Sequence, residues 1–149
     1  MKIILGLGSN LGDREKNLHD AISLIERDLL KNIKKSSIIE TPALLPENAD
    51  ATWNISFLNM VICGNLQNEI LPQDFLHKIK LIEKNLGRKP SARWAPREID
   101  IDILAWGNEI FESDILRIPH PSIMERDFVK IPMREIYPEW VHPKSGEKI

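Results

Sequence analysis

The chain of 149 residues is 42% hydrophobic, which suits one compact domain that buries about two thirds of its unfolded surface and requires no second core. Twenty basic and 22 acidic residues leave a net charge of −2, which excludes a protein that wraps nucleic acid with its whole surface, so any anion site must be local. No apolar run is long enough for a membrane span, no secretory signal layout is visible, and the single cysteine, Cys63, forbids an internal disulfide. The expectation is a cytoplasmic, single-domain protein over 1–149 without internal repeats.

In chain order, Lys2 to Leu7 reads as a first strand. Gly6, Gly8 and Gly12 interrupt it before Asp13, a candidate helix N-cap. On local grounds the glycine cluster is a tight turn, because it has neither the dinucleotide-binding spacing nor a lysine followed by serine or threonine. Leu18, Ala21, Ile22, Ile25 and Leu29 recur at helical spacing and predict a first helix. A strand over Ile33 to Glu40 follows, and Thr41-Pro42 opens a long polar loop to Asn54, a length that in small domains often signals function.

Ile55 to Gly64 predicts the next strand, with Phe57, Asn59, Val61 and Cys63 on one face and Leu58, Met60 and Ile62 on the other. Pro72 suits the first position of a second helix, whose apolar side is Phe75, Leu76, Ile79, Ile82 and Leu86 and whose end is marked by Gly87. The lid-like segment Gly87 to Pro96 leads into a strand carrying Asp100 and Asp102. The order strand, helix, strand, strand, helix, strand predicts an α+β fold: a ferredoxin-like βαββαβ core with an antiparallel sheet and helices packed on it. Five prolines after Gly107 predict a C-terminal extension of short helices and short edge strands.

The chemistry concentrates in Arg93-Trp-Ala-Pro-Arg-Glu-Ile-Asp-Ile-Asp-Ile-Leu104. Strand alternation places Asp100 and Asp102 on one face, about 6–7 Å apart along the chain, while Ile99, Ile101 and Ile103 point the other way. Two such carboxylates at ~5 Å repel by roughly 3 kcal/mol at an effective dielectric of about 20. A cation relieves that repulsion, and magnesium, which takes oxygen ligands from carboxylates and phosphates, fits best. Arg88, Lys89, Arg93 and Arg97 precede the pair, and the arginine fork suits bidentate contact with phosphate oxygens. Cations, carboxylates and a metal together describe phosphoryl transfer.

Phe57 and Asn59 on one strand face could hold a flat heterocycle, although alone they more often describe a core phenylalanine beside a satisfied polar group. Trp94 in a loop packs on closure or stacks on a ligand. For His120, between two prolines, a structural hydrogen bond and a ligand contact are equal readings. A metal-dependent phosphodiesterase or nuclease would also use paired aspartates beside arginines, but it gives no reason for the Phe57–Asn59 platform. An RNA-binding module on a ferredoxin-like sheet would need more strand aromatics than this chain carries.

The Arg93–Leu104 segment closely resembles the signature of the 6-hydroxymethyl-7,8-dihydropterin pyrophosphokinases. The similarity continues through Gly8-Ser-Asn-Leu-Gly-Asp13, Thr41-Pro42, Phe57-Leu-Asn59, Gly107-Asn108, Pro119-His120 and Arg126-Asp-Phe128. The resemblance implies transfer of pyrophosphate from ATP to the pterin hydroxymethyl oxygen in folate biosynthesis, with release of AMP. It implies that Asp100 and Asp102 hold two Mg2+ ions and that Arg88 and Arg97 stabilise the transferring group. Lys80, Glu83, Arg93, Trp94, Ile103, His120, Arg117 and Arg126 are then expected around ATP. Gly8, Thr41, Pro42, Leu44, Phe57, Asn59 and Phe128 are expected around the pterin. It further implies small-molecule substrates, with no nucleic acid or membrane partner, and dihydropteroate synthase as a possible fusion partner. Only Lys-Pro-Ser-Ala separates Arg88 from Arg93, so this loop is short, and Pro90 should stiffen it.

Overall fold

The computed structural model describes all residues 1–149. Strand β1 (Lys2–Ser9) is followed by helix α1 (Arg14–Asp28), strands β2 (Leu30–Lys35) and β3 (Ile39–Thr41), and a short 3-10 turn at Ala51–Trp53. Strand β4 (Phe57–Leu66), helix α2 (Pro72–Asn85) and strand β5 (Asp100–Trp106) complete the core. Strands β6 (Phe111–Glu112) and β7 (Arg117–Ile118) and helix α3 (Asp127–Ile136) form the extension. The main sheet runs β2-β4-β1-β5, with β3 also pairing to β4 and every pair antiparallel. With β3 set aside, this is the expected ferredoxin-like order.

Local chemistry explains the main elements. Asp13 caps α1 by accepting a hydrogen bond from the Lys16 amide at 3.1 Å. Pro72 stands in the first turn of α2, where its missing N–H costs nothing, and Gly87 leaves that helix at φ +102°. Alternation divides the sheet as expected. Ile3, Leu5, Leu7, Met60, Ile62, Ile101 and Ile103 face α1 and α2, where Phe75 and Trp106 meet edge to face at 5.1 Å. Ile4, Val61, Cys63 and Leu104 face the other way, against Val129, Met133 and Ile136 of α3.

Three expectations are corrected. The strand placed at Ile33 to Glu40 is two strands, because the chain breaks at Ser36, whose hydroxyl oxygen accepts from the Val61 amide at 2.9 Å. The strand placed from Ile55 starts at Phe57, since Ile55 and Ser56 use their carbonyls on Asn10 and Arg14 side chains. Within the extension, α3 is a ten-residue helix despite an internal Pro132, and it covers the sheet face opposite α1 and α2. No helix of the structure is long and apolar enough to cross a membrane.

Candidate active site

Helix α3 covers only part of its sheet face. The remainder is the floor of a cavity of about 420 Å³ walled by the 41–56 loop, the 87–97 loop and the Pro119–Phe128 segment. Strand register organises that floor. Gly8 is the neighbour of Asn59 on one side and of Asp100 on the other, and Gly6 lies between Val61 and Asp102. Asn59 and Asp100 are therefore two strand spacings apart, roughly 10 Å. Glycine in the middle row keeps the floor low: a Cβ on Gly8 would lie 3.0 Å from Asn59 Oδ1 and 3.3 Å from the Phe57 ring.

At the β5 end, Arg88 Nη1 reaches Asp100 Oδ1 at 3.0 Å and Glu83 Oε2 at 2.7 Å, and Arg97 Nη1 lies 4.0 Å from the same Asp100 oxygen. The buried Glu83 carboxylate also accepts from the Ile101 amide at 2.9 Å and lies 3.1 Å from Lys80 Nζ. Two arginines neutralise Asp100, whereas Asp102 pairs with no cation. Burial first, and then the neighbouring Asp100 charge, push the Asp102 carboxyl up to about 7 against attenuation by Lys80 and Arg126. Its proton is therefore held well above the usual carboxylate range. Such a carboxyl is short of a cation.

The other walls carry aromatic and polar groups. Asn59 Nδ2 donates to Thr41 Oγ1 at 2.6 Å, which leaves the amide oxygen free to accept and the second N–H free to donate. Arg126 lies over the Phe128 ring at 5.5 Å and Arg93 over the Trp94 ring at 4.7 Å. His120 is tied to β5 by its amide, which donates to the Leu104 carbonyl at 2.9 Å. Its Nδ1 accepts from the Ser122 amide at 3.1 Å, which places the ring proton on Nε2. Burial, then Arg126, depress its pKa, so it is a neutral imidazole at physiological pH.

Of the residues singled out in the sequence, Gly8, Thr41, Pro42, Leu44, Phe57, Asn59 and Phe128 share the cavity with Arg93, Trp94, Arg97, Asp100, Asp102, His120 and Arg126. Lys80, Glu83 and Arg88 line a neighbouring basic cavity of about 790 Å³, which shares Arg93 and Arg97 with the first. Two stand apart. The Ile103 side chain is buried in the core beneath α1 and α2, and Arg117 is exposed on β7 outside both cavities.

Asn10, Ser122 and Val129 were missed. Ser122 and Val129 line the cavity, and Asn10, 1% exposed, is hydrogen-bonded to Arg97 of its wall. Asn10 stands within the Gly8-Ser-Asn-Leu-Gly-Asp13 match, which gave it no role of its own, and it is a polar residue at the end of a buried strand.

No group of three or more His, Cys, Asp or Glu side chains forms a protein-only metal cage. The donor set of Asp100 and Asp102 nonetheless fits Mg2+, which commonly takes one or two carboxylates and completes its shell with waters and phosphate oxygens.

The model of the family described as 7,8-dihydro-6-hydroxymethylpterin-pyrophosphokinase matches residues 4–138. The chain is 42% identical over 141 residues to the 2-amino-4-hydroxy-6-hydroxymethyldihydropteridine pyrophosphokinase of Aquifex aeolicus, covering 95% of this chain and 83% of that protein. It is 40% identical over 129 residues to the folate synthesis bifunctional protein of Chlamydia trachomatis, covering 85% of this chain but only 28% of the chlamydial one. Among solved structures, an HPPK-DHPS in complex with substrates superposes with a TM-score of 0.71 at 16% identity, over 99% of this chain and 42% of that one. Wild-type Plasmodium falciparum HPPK-DHPS gives 0.69 at 16% identity, over 99% and 43%. Both structural likenesses speak to the fold.

Proposed function

The chain belongs to the 7,8-dihydro-6-hydroxymethylpterin-pyrophosphokinase family, and from this premise we propose that it transfers pyrophosphate from ATP to the hydroxymethyl oxygen of 6-hydroxymethyl-7,8-dihydropterin. The products are the pterin diphosphate and AMP, in folate biosynthesis. The observation that carries the reading is the row Asn59, Gly8, Asp100, which sets a ring-recognition end opposite a phosphate-recognition end on one floor.

Phe57 and Phe128 are assigned to the two faces of the pterin. The free acceptor and donor of Asn59, with the backbone at Thr41, Pro42 and Leu44, are assigned to its hydrogen-bonding edge. Arg88 and Arg97, which neutralise Asp100 in the substrate-free site, are the groups placed to turn toward phosphate oxygens and stabilise charge on the transferring group. Lys80, Arg93, Trp94, His120 and Arg126 surround the remaining nucleotide, and the exposed Arg117 reaches it only if the β7 loop folds inward. Glu83 is assigned to the nucleotide side through the arginine and the strand it holds. Asp100 and Asp102 would hold the Mg2+, which we assign as two ions; when bound it neutralises the ATP phosphates and acidifies the attacking hydroxyl.

The chemistry needs no side-chain nucleophile. The hydroxymethyl oxygen bonds to the β-phosphorus and loses its proton to solvent. The bond from the β-phosphorus to the α,β-bridging oxygen breaks, and its electron pair leaves on AMP. The chain's contribution is alignment, charge and exclusion of water when the 41–56 and 87–97 loops close. The buried Cys63 thiol, pushed up by burial, suits a reducing cytosol. The chain spans about a third of its bifunctional relatives, and the HPPK-DHPS chains support dihydropteroate synthase as a fusion partner for a single domain over 1–149.

Incubation with ATP, Mg2+ and 6-hydroxymethyl-7,8-dihydropterin should yield AMP and pterin diphosphate in equal amounts. AMP without the diphosphate would mark a hydrolase, and ADP an ordinary kinase. Either result sinks the assignment.

A further inference from the structure

Asn10 follows β1 and lies between the two loops that wall the cavity. Its amide N–H donates to the Arg97 carbonyl at 3.1 Å, and its side-chain Oδ1 accepts from the Arg97 N–H at 2.9 Å, a two-bond clip on the phosphate-side loop. Its Nδ2 donates to the Ile55 carbonyl at 3.1 Å, two residues before Phe57 at the base of the 41–56 loop. One carboxamide thus spends one end on each loop. It is 1% exposed, so water cannot replace a bond that either loop gives up, and an unpaired amide group there is costly. The 41–56 loop is also pinned at both ends by Arg14, whose Nη1 donates to Glu40 Oε2 at 2.7 Å and to the Ser56 carbonyl at 2.9 Å. Near the phosphate-side loop, the pinned end of the 41–56 loop therefore meets Arg97 through Asn10.

We propose that Asn10 is a positioning residue that couples the two substrate sites, so that seating a nucleotide against the Arg97 loop sets the Ile55–Phe57 segment for the pterin, and the reverse. The inference rests on the assignment of ATP to the arginine side and of the pterin to Phe57 and Asn59. By linkage the coupling is reciprocal, and it is measured as the ratio of pterin affinities with and without nucleotide.

The test uses the whole chain with Mg2+, 6-hydroxymethylpterin and α,β-methylene-ATP, whose carbon bridge replaces the bond to be broken. The wild type should bind pterin at least about fivefold more tightly when the nucleotide analogue is saturating. Asn10→Asp keeps the acceptor for the Arg97 N–H and removes the donor to Ile55, and Asn10→Ala removes both; in each the ratio should fall below about twofold. A merely structural residue would weaken both binary affinities and leave the ratio intact, and that result in folded variants overturns the proposal. A wild-type ratio of one overturns it too, while leaving the pyrophosphokinase reading standing if pterin diphosphate is formed. Failure of the wild type to bind either ligand overturns that reading and the inference with it. Should neither variant fold, amide exchange on the wild type decides: slowing at residues 53–57 on addition of the analogue alone supports the coupling, and slowing confined to 88–106 defeats it.

Discussion

Asp102 is ionised only against opposition, and that makes two outcomes measurable. Its carboxyl is raised from 3.8 to about 7 in the folded chain, so its contribution to stability is complete below pH ~4 and is lost as pH rises through about 7. Asp102→Asn should therefore stabilise the ligand-free protein by up to about 4 kcal/mol at pH 8 and change little at pH 4, read by denaturant titration at both pH values. On the proposed metal assignment, the same substitution should lower kcat by at least about a hundredfold, because it removes a charge that acts only with substrate present. A variant both more stable and fully active would remove the metal assignment. Phe57→Ala should weaken pterin binding by about 1–3 kcal/mol and leave nucleotide affinity unchanged, measured by calorimetry. Gly8→Ala tests the low floor: its Cβ meets Asn59 Oδ1 at 3.0 Å, and the pterin KM should rise about tenfold while the circular dichroism spectrum stays the same.

Elements differ in how plainly the chain announces them. The spacing of Leu18, Ala21, Ile22 and Ile25 and the capping Asp13 made α1 readable, and the alternation of Ile101 and Ile103 with Asp100 and Asp102 revealed both faces of β5 and which of them meets the cavity. What was not readable depended on partners far away in the chain. The break at Ser36 exists because of a bond to Val61, and α3 holds together around Pro132 because Val129, Met133 and Ile136 are buried against the sheet. Likewise, the polar residue at position 10 acquires meaning only when residues 55 and 97 arrive beside it. Among the loops, the 87–97 segment carries Pro90, whose ring fixes one backbone φ. Pro90→Gly should loosen the unbound loop by up to about 1 kcal/mol, raising the ATP KM up to about fivefold with kcat little altered in steady-state assays.

At the scale of the whole molecule, the sheet is covered twice and left open once. Helices α1 and α2 take one face, α3 takes part of the other, and the candidate cavity occupies what α3 leaves uncovered. On the proposed assignment of Mg2+ to Asp100 and Asp102, the proton that burial keeps on Asp102 must leave as the metal–nucleotide complex assembles. Apparent affinity for Mg2+ with α,β-methylene-ATP should therefore strengthen as pH rises through about 7. Calorimetry in buffers of different ionisation enthalpy should then register proton release near neutrality, and a pH-independent affinity would contradict the environment described for Asp102.

The three-strand row of Asn59, Gly8 and Asp100 also dictates where this protein can gain or lose residues over evolutionary time. An insertion of a single amino acid into β1, β4 or β5 would rotate every later side chain of that strand to the reverse surface, sending an amide or a carboxylate into oil and an isoleucine into the cavity. The stretches at 42–55 and 88–96 carry no such phase. Length variation among descendants should accumulate there, while the three strands keep their residue count.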